Sequence, residues 1–167
     1  GSNILVSDEG FDGLVILNEI KEFHAEVKNG RAIVMAGAGE SWDEIVARCV
    51  SEDWAGLECL SGIPGKVGSA PVQNIGAYGQ SVNSVIQSVE AIDSQSGALV
   101  TLDNAQCEFG YRTSIFSAKG GSASGGKKTQ GRYIITRVTL ALTPHGVPPI
   151  TYHDLRQYFS GKTPSLV

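Results

Sequence analysis

Ser61-Gly-Ile-Pro-Gly-Lys-Val-Gly-Ser-Ala-Pro-Val-Gln-Asn-Ile-Gly-Ala-Tyr-Gly79 decides how the rest of the chain is read. The stretch is too rich in glycine for a helix and too long for a simple turn. Its glycines free the backbone to take positive φ and to approach a ligand closely, while Pro64 and Pro71 stiffen the same segment. Ser61, Ser69, Gln73 and Asn74 add hydroxyl and amide groups to the backbone donors. A loop whose N–H groups turn inward suits an anion such as a pyrophosphate. Ile63, Val67, Val72 and Ile75 supply apolar contacts for a core or for an apolar ring. The competing reading is an ordinary surface loop, and it is disfavoured because long glycine-rich loops tend to carry function.

The chain around this loop has 167 residues, enough for one domain with a real core. A net charge of −4 argues against a general nucleic-acid binder. No apolar run is long enough to span a bilayer, and no signal peptide is visible. Cys49, Cys59 and Cys107 are odd in number and lack CxxC spacing, so they read as free thiols in a reducing compartment. His24 and His153 have no partners at ligand spacing, and no metal site is expected. The chain opens on a glycine turn into an apolar strand and closes on Pro164-Ser-Leu-Val167 without a terminal helix. The expectation is a piece of a larger protein.

Upstream of the loop, Ile4–Val6 and Leu14–Leu17 read as short strands across a turn holding Asp8, Gly10, Asp12 and Gly13. Phe23–Val27 and Ala32–Ala36 read as a hairpin around Asn29-Gly30, a pair favoured in type I′ turns. Ser41 and Glu44 have the spacing of a capping box. The helix they would open carries Trp42, Ile45, Val46, Cys49 and Val50 on one apolar face. Downstream, Val85–Ile92 and Leu99–Leu102 read as strands about Ser94-Gln-Ser-Gly97, followed by a short helical turn at Asp103–Cys107. Ser117–Gly131 is rich in Gly, Ser and Lys and reads as a flexible loop or hairpin tip. Its Lys119, Lys127 and Lys128 either attract phosphates or are simply solvated. Tyr133–Leu142 is a strand, and Thr143–Pro149 a Pro/Gly linker. The alternation is α+β rather than doubly wound, and without a strand-linked G-x-G-x-x-G a Rossmann site has no support.

Gly62-Ile-Pro-Gly65 followed by Gln73-Asn-Ile-Gly-Ala-Tyr-Gly79 resembles the flavin-binding loop of the UDP-N-acetylenolpyruvoylglucosamine reductase (UDP-N-acetylmuramate dehydrogenase) family. Three further stretches agree with it in family order. They are Gly1-Ser2-Asn3, Phe109-Gly-Tyr-Arg-Thr-Ser-Ile-Phe116, and Ile150-Thr-Tyr-His-Asp-Leu155, the last similar to the longer of the two family types. The resemblance implies an α+β FAD-binding domain of the vanillyl-alcohol-oxidase/PCMH type over residues 1–146. Its N-terminal part would be missing, and 117–131 would be a flexible insertion. Residues 147–167 would be the truncated start of a substrate-binding domain.

The resemblance also assigns residues. Gly1, Ser2 and Asn3 would hold FAD from the family's second phosphate-contacting turn. Ser61, Gly62, Ile63, Pro64 and Gly65, with Val67, Gly68 and Ser69, would hold it from the opening half of the central loop. Asn74, Ile75, Gly76, Ala77, Tyr78 and Gly79 continue that set, and Ile135 joins it from the last strand. Tyr111, Arg112 and Tyr152 would bind substrate. In the family, NADPH reduces the flavin, which passes a hydride to the enolpyruvyl group of a UDP-sugar in peptidoglycan precursor synthesis. Negative charge then develops beside a carboxylate, and a preorganised cation stabilises it. Arg112 is the implied catalytic cation; without its motif it would read as a solvated surface charge.

The serine and glutamate that complete the family's reaction lie beyond this chain, so this piece alone is expected not to turn over substrate. The implied partners are the UDP-sugar substrate and NADPH, with no nucleic acid and no membrane, for a cytoplasmic monomer. Lys66 departs from the family, standing where Ser or Thr is frequent; it either adds a phosphate contact or points to solvent. His153 stands where glycine is common, and Tyr152 either contacts substrate or packs under the loop. Two other functions remain open: a flavin- or nucleotide-binding module without catalysis, and another flavoprotein oxidase of the same fold. For the oxidase, the central loop offers no His or Cys as an attachment point.

Overall fold

Asn29 and Gly30 take φ of 52° and 72°, the left-handed pair a type I′ turn needs. They fold β1 (Phe23–Lys28) onto β2 (Arg31–Gly37), as the sequence predicts. This hairpin begins the fold of a computed structural model that describes residues 3–117, 131–148, 150–162 and 164–165. Helix α1 (Trp42–Ser51) follows, then the two-residue strand β3 (Trp54–Ala55). The central loop carries a small hairpin of β4 (Gly76–Ala77) and β5 (Gln80–Ser81). Strands β6 (Ile86–Asp93), β7 (Leu99–Asp103) and β8 (Tyr133–Pro144) complete the sheet, and α2 (His153–Tyr158) comes last.

The main sheet is antiparallel, in the order β1-β2-β8-β6-β7, with β3 pairing the far end of β8. Burial alternates along β2, β6 and β8, so one face looks inward. Val34, Val89, Val138 and Leu140 on that face are fully buried, in one core with Trp42, Ile45, Val46 and Cys49 of α1. The Trp42 indole N–H donates to the Leu60 carbonyl at 3.0 Å and fixes the chain where it enters the central loop. Burial pushes the Cys49 and Cys107 thiols up to about 12. They are packing groups rather than nucleophiles, as the helical face implies for Cys49.

Two local expectations fail. Ile4–Val6 and Leu14–Leu17 form no strands; they lie in an irregular arm with Leu5 fully exposed and Leu14 82% exposed. A strand needs a neighbour for its ladder, and among the described residues none pairs with the arm. The capping box does not close either, because the Ser41 side chain makes no cap bond. Ser41 instead bridges Lys66: Trp42 N–H donates to Gly65 O, and Val67 N–H to Glu40 O. The start of α1 is thus tied to the central loop.

The arm joins the sheet at residues 18–22. Asn18 donates to Ile135 O, Gly37 N–H to Glu22 O, and Gly39 N–H to Ile20 O. The approach demands glycine at both sites: a Cβ on Gly37 would lie 2.5 Å from Ile20 O, and one on Gly39 would lie 2.5 Å from the Glu19 Cα. Arg137 of β8 locks the junction, donating to Glu22 on one side and Glu90 on the other. The loop expected at Ser117–Gly131 lies, except for its two ends, outside the described residues.

Candidate functional site

The central loop divides its backbone donors into two sets. One set fastens it to the scaffold. Asp43 on the first turn of α1 accepts the Gly62 N–H at 2.6 Å and the Ser61 hydroxyl at 3.1 Å. Gly68 N–H donates to Ala38 O, and its Cα sits so close that an added Cβ would lie 2.7 Å from the Ala38 Cβ. Val67 is fully buried. The other set is free: among the described residues, the N–H groups of Ile63, Gly65 and Lys66 have no acceptor.

These free donors border a cavity of about 600 Å³. Its walls include Ile63, Pro64, Val72 and Ile75, with Asn3 and Ile4 of the arm at one side. A smaller cavity of about 280 Å³ shares Lys66, Ser69 and Val72 with it and is closed by Tyr133 and Ile135. Apolar walls beside unpaired amides fit a ligand with a flat apolar ring and an anionic diphosphate. Of the residues expected to hold a cofactor, Asn3, Ile63, Pro64, Gly65, Ser69, Ile75 and Ile135 therefore line this pair of cavities. Ser61, Gly62, Val67 and Gly68 anchor the loop instead, though Gly68 also reaches the smaller cavity. Gly1 and Ser2 lie outside the described residues.

The second half of the loop builds a different cavity, of about 480 Å³, between Gly76–Gln80 and Phe109–Arg112. Asn74 holds its two sides together. It sits at φ 42° and is nearly buried. Its side chain donates to Gly110 O at 2.9 Å and accepts the Asn83 N–H at 3.1 Å. Arg112, itself at φ 54°, sends its guanidinium back across the cavity to the carbonyls of Gly76 and Asn74. Tyr111 beside it is 93% exposed. Buried Ser114 completes the link by donating to Val72 O at 2.8 Å. The Phe109–Phe116 motif and the central loop, far apart in sequence, are one structure.

Tyr78 and Gly79 make the β4–β5 turn at φ 49° and 83°. A Cβ on Gly79 would strike the Thr151 hydroxyl, so the segment before α2 rests on this turn. The Tyr152 ring packs edge-on against Tyr78 with centroids 5.7 Å apart. Tyr111 and Arg112 thus share a cavity with Ala77, Tyr78 and Gly79, and Tyr152 packs behind its Tyr78–Gly79 wall.

Sequence reasoning gave no role to Asp43, Asn83, Glu58 or Gln80. Glu58 accepts the Gly56 N–H and a Gln80 side-chain N–H, while Gln80 accepts the Cys59 N–H at 3.0 Å. That clasp closes the base of the loop. Only Asp43 had a local signal, as an acid in the first turn of a helix.

Several known proteins are similar to this chain. UDP-N-acetylenolpyruvoylglucosamine reductase of Ralstonia nicotianae is 43% identical over 97% of this chain and 46% of its own length. The protein of the same name from Neisseria gonorrhoeae is 44% identical over 93% of this chain and 42% of its own. The chain therefore spans less than half the length of these relatives. The crystal structure of UDP-N-acetylenolpyruvylglucosamine reductase from Thermus caldophilus shares the fold, with a TM-score of 0.55 over 78% of this chain and 44% of that one, at 24% identity. These likenesses agree with the resemblance carried by the two middle motifs and with an α+β architecture. A family profile described as FAD binding domain matches residues 1–103, more than half of the chain, which belongs to that FAD binding domain family.

Proposed function

We propose that this chain is the flavin-holding part of an FAD-dependent, NADPH-using reductase that acts on the enolpyruvyl group of a UDP-sugar. The observation that carries the reading is the Arg112 guanidinium, aimed across the second cavity at the carbonyls of the glycine loop. FAD, when bound, supplies the hydride transfer. The residues of the chain orient and shield. Ile63, Val72 and Ile75 keep water from the apolar cavity, and the free amides of Ile63, Gly65 and Lys66 donate to phosphate oxygens. Arg112 moves from carbonyl acceptors to a substrate carboxylate, a stronger, charge-assisted partner. There it stabilises the negative charge that grows during reduction. Tyr111 lies exposed at the same cavity and is placed to meet substrate.

Residues 147–167 open the substrate-binding domain, a reading supported by the seating of Thr151 and Tyr152 on the Tyr78–Gly79 turn. The enzyme works in the cytoplasm as a monomer in peptidoglycan precursor synthesis, without nucleic acid or membrane. The test is Arg112→Ala in the full-length protein. Turnover drops on the order of 10²–10³-fold, while FAD binding is retained. Turnover within about threefold of wild type, on the same scale, overturns the role of Arg112.

A further inference from the structure

We infer that Lys66 is a phosphate-binding cation that gives this cleft its preference for a dinucleotide flavin over riboflavin. The inference rests on the flavin reading of the cleft. Lys66 stands on the ridge shared by the two adjoining cavities. Among the described residues lining either cavity it is the one with a charged side chain. Among the described residues its own N–H and that of Gly65 lack acceptors, so one residue brings a free backbone donor and a lysine side chain to the rim of an otherwise mostly apolar cleft. In a chain with a net charge of −4, an anion needs such a local positive field.

The Lys66 ammonium lies 3.3 Å from the Glu19 carboxylate of the arm, and both side chains are about half exposed. An exposed pair of that kind is weak and gives way to a diphosphate, which carries more charge and more acceptor oxygens. The backbone bridge between Ser41 and Lys66 fixes where the side chain starts, so its reach is set by α1 and not by a free loop.

The experiment compares dissociation constants for FAD and riboflavin, read by flavin fluorescence, in the wild-type chain, Lys66→Gln and Lys66→Arg. Riboflavin carries the ring without phosphate. Lys66→Gln is expected to weaken FAD about tenfold and riboflavin less than about twofold, the loss of one charge-assisted contact. Lys66→Arg keeps the charge and stays within about threefold of wild type for FAD. The inference is overturned if Lys66→Gln binds FAD as wild type does, if it weakens both ligands equally, or if Lys66→Arg fails as badly as Lys66→Gln. Failure of both the wild-type chain and the full-length protein to bind either ligand would instead remove the flavin reading, and this role with it.

Discussion

Leu14-Val15-Ile16-Leu17 in the arm and Val138-Thr139-Leu140-Ala141-Leu142 in β8 are similar runs of apolar, strand-forming residues. Leu14 is 82% exposed, whereas Leu140 is fully buried. The side chains do not make the difference; the neighbours do. β8 has β2 on one side and β6 on the other, so its polar backbone groups are paired and its inner face is covered. The arm has no strand beside it among the described residues, and its apolar groups stay in water. Strand propensity measures how well a residue fits a surface that others must build.

The sharpest way to break this comparison is a matched pair of substitutions. Leu140→Ala should cost about 2–5 kcal/mol of stability, the range for emptying a packed core site. Leu14→Ser should change it by no more than about 0.5 kcal/mol. Urea denaturation of both measures the contrast, and a comparable loss in Leu14→Ser would show the arm to be packed.

A second test concerns the end of the sheet. Arg132 donates twice to one oxygen of Asp93, at 3.1 and 2.7 Å. That hydrogen bonding holds the Asp93 carboxyl below its usual range. The unfolded chain therefore takes up the proton first. The stabilisation is complete above the ordinary carboxylate value of about 4 and fades as pH falls through the lowered one. Thermal midpoints of Asp93→Asn should fall less steeply than those of wild type below about pH 4; parallel curves would remove the linkage.

The smallest effect lies where arm meets sheet. Glu22→Gln leaves Arg137 paired with Glu90 and, at a partly exposed site, should cost roughly 0.2–1 kcal/mol. A larger loss in denaturation would make the arm part of the cooperative unit.

Signals that repeat over a few residues were legible in the sequence. Asn29-Gly30 carried its own turn, and the face from Trp42 to Val50 declared its burial by spacing alone. The central loop announced itself because so much glycine has few other uses. The cavity walls could be guessed as apolar, but their sides could not. Gly62 looked like a ligand contact, and its N–H proved to belong to Asp43, nineteen positions earlier. Ser41 looked like a cap until Lys66 met it across the loop. Asn74 is the fullest case, since its side chain joins Gly110 to Asn83 and its carbonyl accepts from Arg112, residues 9 to 38 positions away. Such bonds are set by the path of the whole backbone, and no local pattern records them.

β8 is the middle strand of the sheet and, among the described strands, the one furthest along the chain. Ala32 pairs with Val27 inside its hairpin, but its other neighbour, Leu142, lies more than a hundred residues further along. On the ribosome, the β1–β2 and β6–β7 hairpins emerge with their inner edges open, and they stay so until residues 133–144 have cleared the exit tunnel. Long-range closure of this kind slows folding and leaves sticky edges in the nascent chain. Synthesis that stalls before β8 releases two unjoined hairpins and a glycine loop with no floor beneath it, a species for chaperones and proteases to handle.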